Sequence, residues 1–200
     1  MLSIILPTYN EEQNIEKAYK AIRDVLIPAG IELELIYVND GSKDNSLSKI
    51  HELSKSVRDV RVIGVSFSRN FGKEAAILAG LSHASGDVCA VMDCDLQHPP
   101  DTLLSMYRLW EQGYEVIEGV KRSRGKENPI YRAFANLFYK LISKAAGVDM
   151  ARASDFKMLD RKVVDQYIKL PERNIFFRSL SAWMGYKSIS VEFDVKERAS

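Results

Sequence analysis

Hydrophobic and polar positions along the chain alternate between a strand rhythm and a helix rhythm. Leu2-Ser3-Ile4-Ile5-Leu6 is a short apolar run that reads as a buried strand, left through a turn at Pro7-Thr8-Tyr9-Asn10. Ile15, Ala18, Ile22, Val25 and Leu26 then recur at helical spacing, with Asn10 and Gln13 at capping-box spacing before them and Pro28 and Gly30 after them. The unit repeats. A strand from Leu33 to Val38 runs into Asn39-Asp40-Gly41-Ser42, and a helix from Asp44 to Ser54 follows with Asp44 as its cap. Arg61 to Phe67 is a third strand, Ser68 to Gly72 a loop, and Lys73 to Ala84 an alanine-rich helix closed by Ser85-Gly86. The fourth strand, Asp87 to Met92, delivers Asp93-Cys94-Asp95-Leu96-Gln97-His98-Pro99-Pro100, where the double proline prevents it from continuing.

Beyond it, Pro100 to Trp110 reads as a helix and Tyr114 to Gly119 as a fifth strand, followed by a basic loop from Lys121 to Asn128. A helix over 129–146 has Ile130, Phe134, Leu137 and Phe138 on one face and Arg132, Asn136 and Lys140 on another. Such a face suits either a core or a membrane surface. Ser154 to Leu159 reads as a strand carrying Asp155, Arg161 to Ile168 as a helix, and Lys187 to Val195 as a final strand. Between the last two, Phe176, Phe177, Trp183 and Met184 crowd one short segment. Strands alternating with helices predict an α/β domain with a largely parallel sheet and right-handed crossovers. Ligands of such sheets sit at the carboxyl ends of the strands, where each of the first four strands ends in a polar cluster. The loop after the first strand contains no glycine, which excludes the glycine-rich dinucleotide fingerprint and speaks against an NAD-type enzyme.

Side chains alternate along a strand, so Asp93 and Asp95 point the same way, and Gln97 joins them if the backbone stays extended. Two neighbouring carboxylates repel unless a cation lies between them, so the cluster reads as hard oxygen ligands for a divalent metal. The other reading, a solvated acidic loop, loses weight from the position of the cluster beside three further polar loops. Composition adds bounds. A chain of 200 residues with 46% hydrophobic and 28% charged positions suits one globular domain. Lys+Arg 28 against Asp+Glu 27, a net charge of +1, provides no bulk field for nucleic acid. The two cysteines, Cys89 and Cys94, lack metal-type spacing and fit a reduced compartment. Neither a leader sequence nor an apolar stretch of the ~20 residues that span a bilayer is visible, which predicts a chain that is soluble as given.

Taken in order, Leu6-Pro7-Thr8-Tyr9-Asn10-Glu11, Val38-Asn39-Asp40-Gly41-Ser42, Arg69-Asn70-Phe71-Gly72-Lys73, Ala84-Ser85-Gly86-Asp87 and Asp93-Cys94-Asp95-Leu96-Gln97-His98-Pro99-Pro100 resemble glycosyltransferase family 2. Within it they are similar to the polyprenyl-phosphate group of dolichol-phosphate mannose synthases and bactoprenol glucosyltransferases. The resemblance covers essentially the whole chain and implies a GT-A fold that transfers one sugar, with inversion, from a UDP- or GDP-sugar to a polyprenyl (undecaprenyl or dolichyl) phosphate. It implies that Pro7, Tyr9 and Glu11 line the nucleotide pocket, that Asp40 hydrogen-bonds the base, and that Asp93 faces the ribose or the metal with Cys94 adjacent through its backbone. Asp95 and Gln97 would then hold Mg²⁺ or Mn²⁺ against the diphosphate, with Asp95 essential for turnover. Lys121 stands where relatives usually carry an arginine, so a phosphate contact there is shared with or shifted to Arg122. Arg132 and Arg198 match positions that meet donor or acceptor phosphates.

Asp155 matches a carboxylate proposed as general base. A phosphate monoester already loses its second proton near a pKa of about 6, so Asp155 has an alternative role in orienting the acceptor or a basic side chain. The resemblance divides the domain into a nucleotide-sugar half, about 1–120, and an acceptor half, about 121–200. Relatives continue past the Arg198 position into transmembrane helices. The chain therefore reads as a catalytic portion that works at the cytoplasmic face of a membrane, with the apolar faces of 129–146 and 174–185 as candidate surface contacts. A polysaccharide or glycan acceptor is a second reading, disfavoured because the Gln/Arg-rich tryptophan motif of processive relatives is not found. A non-catalytic nucleotide-sugar-binding module is a third.

Overall fold

A computed structural model describes residues 1–122, 154–170, 177–179 and 185–195. The expected helix over 129–146, most of the basic loop, most of the aromatic segment, and Arg132 and Arg198 lie outside the described residues. In chain order the elements are β1 (Leu2–Thr8), α1 (Ile15–Leu26), β2 (Leu33–Asn39), α2 (Ser46–Ser56), β3 (Arg61–Ser66), α3 (Lys73–His83) and β4 (Val88–Val91). Then come α4 (Pro100–Glu111), β5 (Val116–Lys121), β6 (Lys157–Asp160), α5 (Arg161–Lys169), a 3₁₀ turn (Phe177–Ser179) and β7 (Ser188–Phe193). The strands form one seven-stranded sheet in the order β3-β2-β1-β4-β6-β5-β7.

Strands buried on both faces read as near-continuous apolar runs, and β1, β2 and β4 do so because helices cover both sides of them. Leu2, Ile4 and Leu6 pack with Ile15, Ile22, Leu103 and Met106 of α1 and α4. On the opposite face, Ile5, Ile36 and Val91 pack with Ile77 and Leu81 of α3 and Val163 and Val164 of α5. β1 pairs in parallel with β2 and β4, β2 with β3, and β5 with β7. The sheet is therefore mostly parallel, as the rhythm of the chain implied. The exception is β6, which runs antiparallel to both neighbours. Local patterning shows that a segment is a strand and leaves its direction open.

Several element ends differ from the sequence reading. Pro7 belongs to β1 and pairs with Val38 instead of opening a turn. The β1–β4 register ends at Ile5 opposite Val91, so the missing Pro7 N–H falls where β1 has lost one neighbour. Asn10 does not cap α1. It takes a left-handed φ of 54°, and its Oδ1 accepts from Lys43 N–H at 2.8 Å. Asn is among the few residues that tolerate this conformation, and the bond ties the loop after β1 to the loop after β2. α1 starts five residues after it, at Ile15. α2 starts at Ser46, whose N–H donates to Asp44 Oδ1 at 3.0 Å. Asp44 thus serves the first turn from just outside it, while its Oδ2 accepts from Glu12 N–H at 3.1 Å. Asp155 lies ahead of β6, which begins at Lys157.

Candidate functional site

The carboxyl ends of β1 to β4 open on one cavity of about 290 Å³, lined by Pro7, Thr8, Tyr9, Glu11, Asp40, Asn70, Gly72, Lys73, Ala76, Asp93, Cys94 and Asp95. Seven residues singled out from the sequence, Pro7, Tyr9, Glu11, Asp40, Asp93, Cys94 and Asp95, therefore meet in one place. A larger groove, about 650 Å³, lies between α1 and α2, where acidic and basic side chains interleave. It shares no lining residue with the cavity and has the makeup of a solvated helix surface.

Hydrogen bonds between loops shape the cavity. Asn10 N–H donates to Ser42 Oγ at 3.0 Å and Glu11 N–H to Ser46 Oγ at 2.9 Å, which fixes the backbone that carries Tyr9 and Glu11. Asp40 is almost fully buried, with 4% exposure. Its carboxylate accepts from Phe71 N–H at 2.6 Å and Gly72 N–H at 2.9 Å. Asp40 thus staples the loop after β3 to the end of β2 and holds the start of α3. Gly41, at φ 66°, lies so close to the Arg69 backbone that a Cβ there would collide with it.

The extended backbone assumed for the acidic cluster ends at Val91. The chain turns sharply, with Leu96 at φ 61°, and Gln97 N–H donates to Asp95 Oδ1 at 3.1 Å. Asp93 and Asp95 reach the cavity, while Gln97 is not part of its lining. His98 is buried and stacks on Phe156 with centroids 4.5 Å apart. Its Nδ1 accepts from Asp93 N–H at 3.3 Å. Burial pushes its pKa down, beyond what the neighbouring Asp93 carboxylate restores, so the ring is neutral with its proton on Nε2. It acts as a prop for the Asp93 backbone. Both cysteines are free and buried. Burial pushes the Cys89 thiol up to about 12 and Cys94 higher, which makes both inert as nucleophiles.

Next to Asp93 stands an arrangement that the sequence reading missed. Lys73 Nζ lies 2.6 Å from Asp93 Oδ1 and 3.1 Å from Asp155 Oδ2. Arg178 grips the same Asp155 with a two-pronged fork, Nε to Oδ1 and Nη2 to Oδ2, both at 2.8 Å. Charges alternate through Asp93, Lys73, Asp155 and Arg178. Burial by itself would raise the Asp155 carboxyl, but bonds from Arg178 and the charge of Lys73 outweigh it and hold the group below the usual range. Burial likewise would lower the Lys73 ammonium, and Asp93 and Asp155 reverse the effect and raise it.

The turn that presents Arg178 is anchored from beneath. Phe177 N–H donates to Glu74 Oε2 at 3.1 Å, and the fully buried Lys157 donates to the Arg178 carbonyl at 2.8 Å while pairing with Glu118. One signal for Lys73 was present in the sequence, because a lysine in the first turn of a helix opposes the macrodipole and needs a compensating anion. Arg178 carried no local signal.

Lys121 ends β5 and is exposed. Arg122 is exposed too, and its guanidinium pairs with Asp194 at 3.2 Å and Glu192 at 3.6 Å across the β5–β7 pair. Neither lines the cavity. Among the described residues no three His, Cys, Asp or Glu side chains converge as a metal cage. The donor set is a pair of carboxylates on an open cavity. It suits a hard cation that draws its other ligands from phosphate and water.

The seven-stranded, mostly parallel sheet flanked by helices is the GT-A fold of glycosyltransferases. The chain belongs to glycosyl transferase family 2, whose family model matches residues 3–168. It is 36% identical to the bactoprenol glucosyl transferase of Shigella phage SfV over 200 residues, which cover 100% of this chain and 64% of that relative. The mannosyltransferase PcManGT from Pyrobaculum calidifontis, solved in complex with GDP-Man and Mn²⁺, aligns with a TM-score of 0.67 at 22% identity over 99% of this chain and 58% of its own. The glucosyl-3-phosphoglycerate synthase of Mycobacterium tuberculosis, in complex with Mn²⁺, UDP-glucose and phosphoglyceric acid, aligns with a TM-score of 0.69 at 18% identity over 100% and 72%. The chain spans 60 to 65% of the length of the curated relatives that it matches at 35 to 41% identity. Among the described residues no helix is long and apolar enough to cross a membrane.

Proposed function

We propose that the chain is the catalytic portion of an inverting, metal-dependent glycosyltransferase that moves a single hexose or N-acetylhexosamine from a UDP- or GDP-sugar to a polyprenyl phosphate. The observation that carries this reading is the convergence of Asp93 and Asp95 with Pro7, Tyr9, Glu11 and Asp40 on one cavity at the carboxyl edge of the sheet. The bactoprenol glucosyl transferase relatives support the lipid phosphate as acceptor. The neighbours solved with Mn²⁺ and a nucleotide-sugar support the donor and a divalent ion, Mg²⁺ or Mn²⁺.

In this reading the nucleoside lies over the ends of β1 and β2, within the half formed by residues 1–120, and residues 121–200 serve the acceptor. Asp95 and Asp93 would hold the metal, with Gln97 reached by a change in the turn after Leu96. When bound, the ion neutralises charge that builds on the departing diphosphate. An acceptor phosphate oxygen forms the new bond to the anomeric carbon as the bond from that carbon to the donor diphosphate breaks, and the nucleoside diphosphate leaves with the electron pair. The acceptor monoester is largely ionised at neutral pH, and no strong base is required. Asp155, held as an anion by Arg178 and Lys73, is poorly suited to take a proton and well suited to keep two cations in place. Lys121, Arg122, Arg132 and Arg198 are left to meet phosphates of donor or acceptor, at the cytoplasmic face of a membrane.

The test is a panel of UDP- and GDP-sugars assayed against a short polyprenyl phosphate, with Asp95→Ala as control. We expect sugar transfer from one donor, with turnover reduced at least about 10³-fold in the variant. Nucleotide binding without transfer from any donor would overturn the reading in favour of a binding module.

A further inference from the structure

We propose that Lys73 is a built-in counter-cation of the donor site. Its ammonium holds the place of the divalent ion at Asp93 while nucleotide is absent, so that metal and nucleoside diphosphate enter together. The inference rests on the metal-dependent reading above and adds to it a reason for the order of binding.

Geometry supports it from several sides. Lys73 Nζ lies 2.6 Å from Asp93 Oδ1, closer than its 3.1 Å to Asp155 Oδ2. Asp155 already has both oxygens held by the Arg178 fork, so Lys73 is not needed to neutralise it. At Asp93, by contrast, Lys73 is the cation that the described ion pairs supply. Its Cα is fixed as the first residue of α3, directly after Gly72, whose N–H Asp40 holds. The side chain itself is 37% exposed and sits on a flexible four-carbon stem. The head can therefore leave Asp93 while its base stays in place.

A divalent ion on Asp93 and an ammonium on the same carboxylate repel strongly at such separations. One has to yield. Without nucleotide a displaced ammonium keeps only its contact with Asp155, a carboxylate already held by Arg178, and the metal competes against a charge tethered to the protein. When a diphosphate enters, it brings fresh negative charge that can accept Lys73, and the ion takes the aspartate. Metal and nucleotide thereby favour each other by the same factor, as linkage requires.

The experiment measures Mn²⁺ binding to the 200-residue chain by titration of the free-ion electron paramagnetic resonance signal, with Mn²⁺ alone, with UDP and with GDP. It compares wild type, Lys73→Met, Lys73→Gln and Lys73→Arg. Wild type is expected to bind Mn²⁺ roughly tenfold or more tightly with one of the nucleotides than without. Both neutral variants are expected to bind Mn²⁺ alone about tenfold more tightly than wild type and to lose most of the nucleotide dependence. Lys73→Arg, which keeps the charge, is expected to follow wild type. Nucleotide-dependent binding in wild type, with unchanged Mn²⁺ affinity in both neutral variants, would overturn the inference and leave the metal-dependent reading standing. Absence of Mn²⁺ binding to wild type with either nucleotide would overturn both.

Discussion

Replacing Asp155 with Asn removes one negative charge from the middle of the series Asp93, Lys73, Asp155, Arg178 and leaves the two cations facing each other. Asp155 is 7% exposed and accepts two bonds from Arg178 at 2.8 Å, with Lys73 at 3.1 Å. A hydrogen bond to a charged group contributes about 1.5–3 kcal/mol, and asparagine retains one acceptor oxygen. Arg178 and Lys73 keep 48% and 37% of their side chains in water, which screens the loss and puts it at about 2 kcal/mol in total. For a domain of this size that lowers Tm by about 4–8 °C. The kinetic effect separates two roles. The folded carboxyl lies below its ordinary value of 3.8, so the stability it contributes is complete above that value and is lost as pH falls through the lower folded pKa. Asp155 therefore changes charge nowhere near neutrality, and with the proposed phosphate acceptor an acid limb near a pH of about 6 would belong to that acceptor. As an anchor of Arg178 and Lys73, Asp155→Asn should lower kcat by about 10²-fold through misplaced cations, with a pH–rate profile parallel to wild type between about pH 6 and 9. The assay is sugar transfer to a short polyprenyl phosphate across that range, with Tm measured alongside. Recovery of the variant toward wild-type rates above about pH 8 would identify Asp155 as a base and refute the anchoring argument.

Two further substitutions probe the frame around the site. Glu34 is fully buried and accepts from Ser3 Oγ at 2.7 Å, Ser85 N–H at 2.9 Å and Ser85 Oγ at 2.7 Å, with Arg61 at 3.0 Å. Glu34→Ala strands these donors and should cost about 3 kcal/mol in urea unfolding at pH 7. Burial would raise the Glu34 carboxyl, yet the Ser85, Ser3 and Arg61 contacts hold it below 4.5, so the gap between wild type and variant should narrow as pH falls below that value. A gap that persists unchanged at low pH would contradict the assignment. Gly41→Ala places a methyl against the Arg69 backbone at a left-handed φ. It should cost about 1–3 kcal/mol and weaken nucleotide binding by calorimetry, because the displaced loop carries Asn70, Gly72 and Lys73 into the cavity. Unaltered nucleotide affinity would show that this loop does not shape a nucleotide site.

Much of the fold around the strand-end cavity was legible residue by residue. The apolar runs of β1, β2 and β4 and the helical spacing of α1 follow from which positions must leave water. A parallel sheet then sends every strand's following loop to one edge, so knowing that Asp40 and Asp93 end strands was enough to place them together. Element ends were less legible where a tertiary bond competes with a local preference. Asn10 has the makings of a cap, but it earns more by bonding Lys43 across the loops. Pro7 stays in β1 only because β4 stops short beside it.

The sequence by itself determined the alternating α/β order, the strand-end clusters and the pair of carboxylates beyond β4. The tertiary structure alone decided that β6 runs antiparallel between β4 and β5, that the chain turns after Asp93 instead of staying extended, and that Lys73 and Arg178 meet at Asp155. The reason is range. Periodicity reports the environment a residue needs along its own element, whereas an ion pair between α3 and a turn near the end of the chain depends on the packing that brings them together. Lys157 shows the difference most plainly. In sequence it is a lysine within a strand, and in the fold it is a fully buried charge beneath Arg178, paired with Glu118 and bonded to the carbonyl of the arginine it supports.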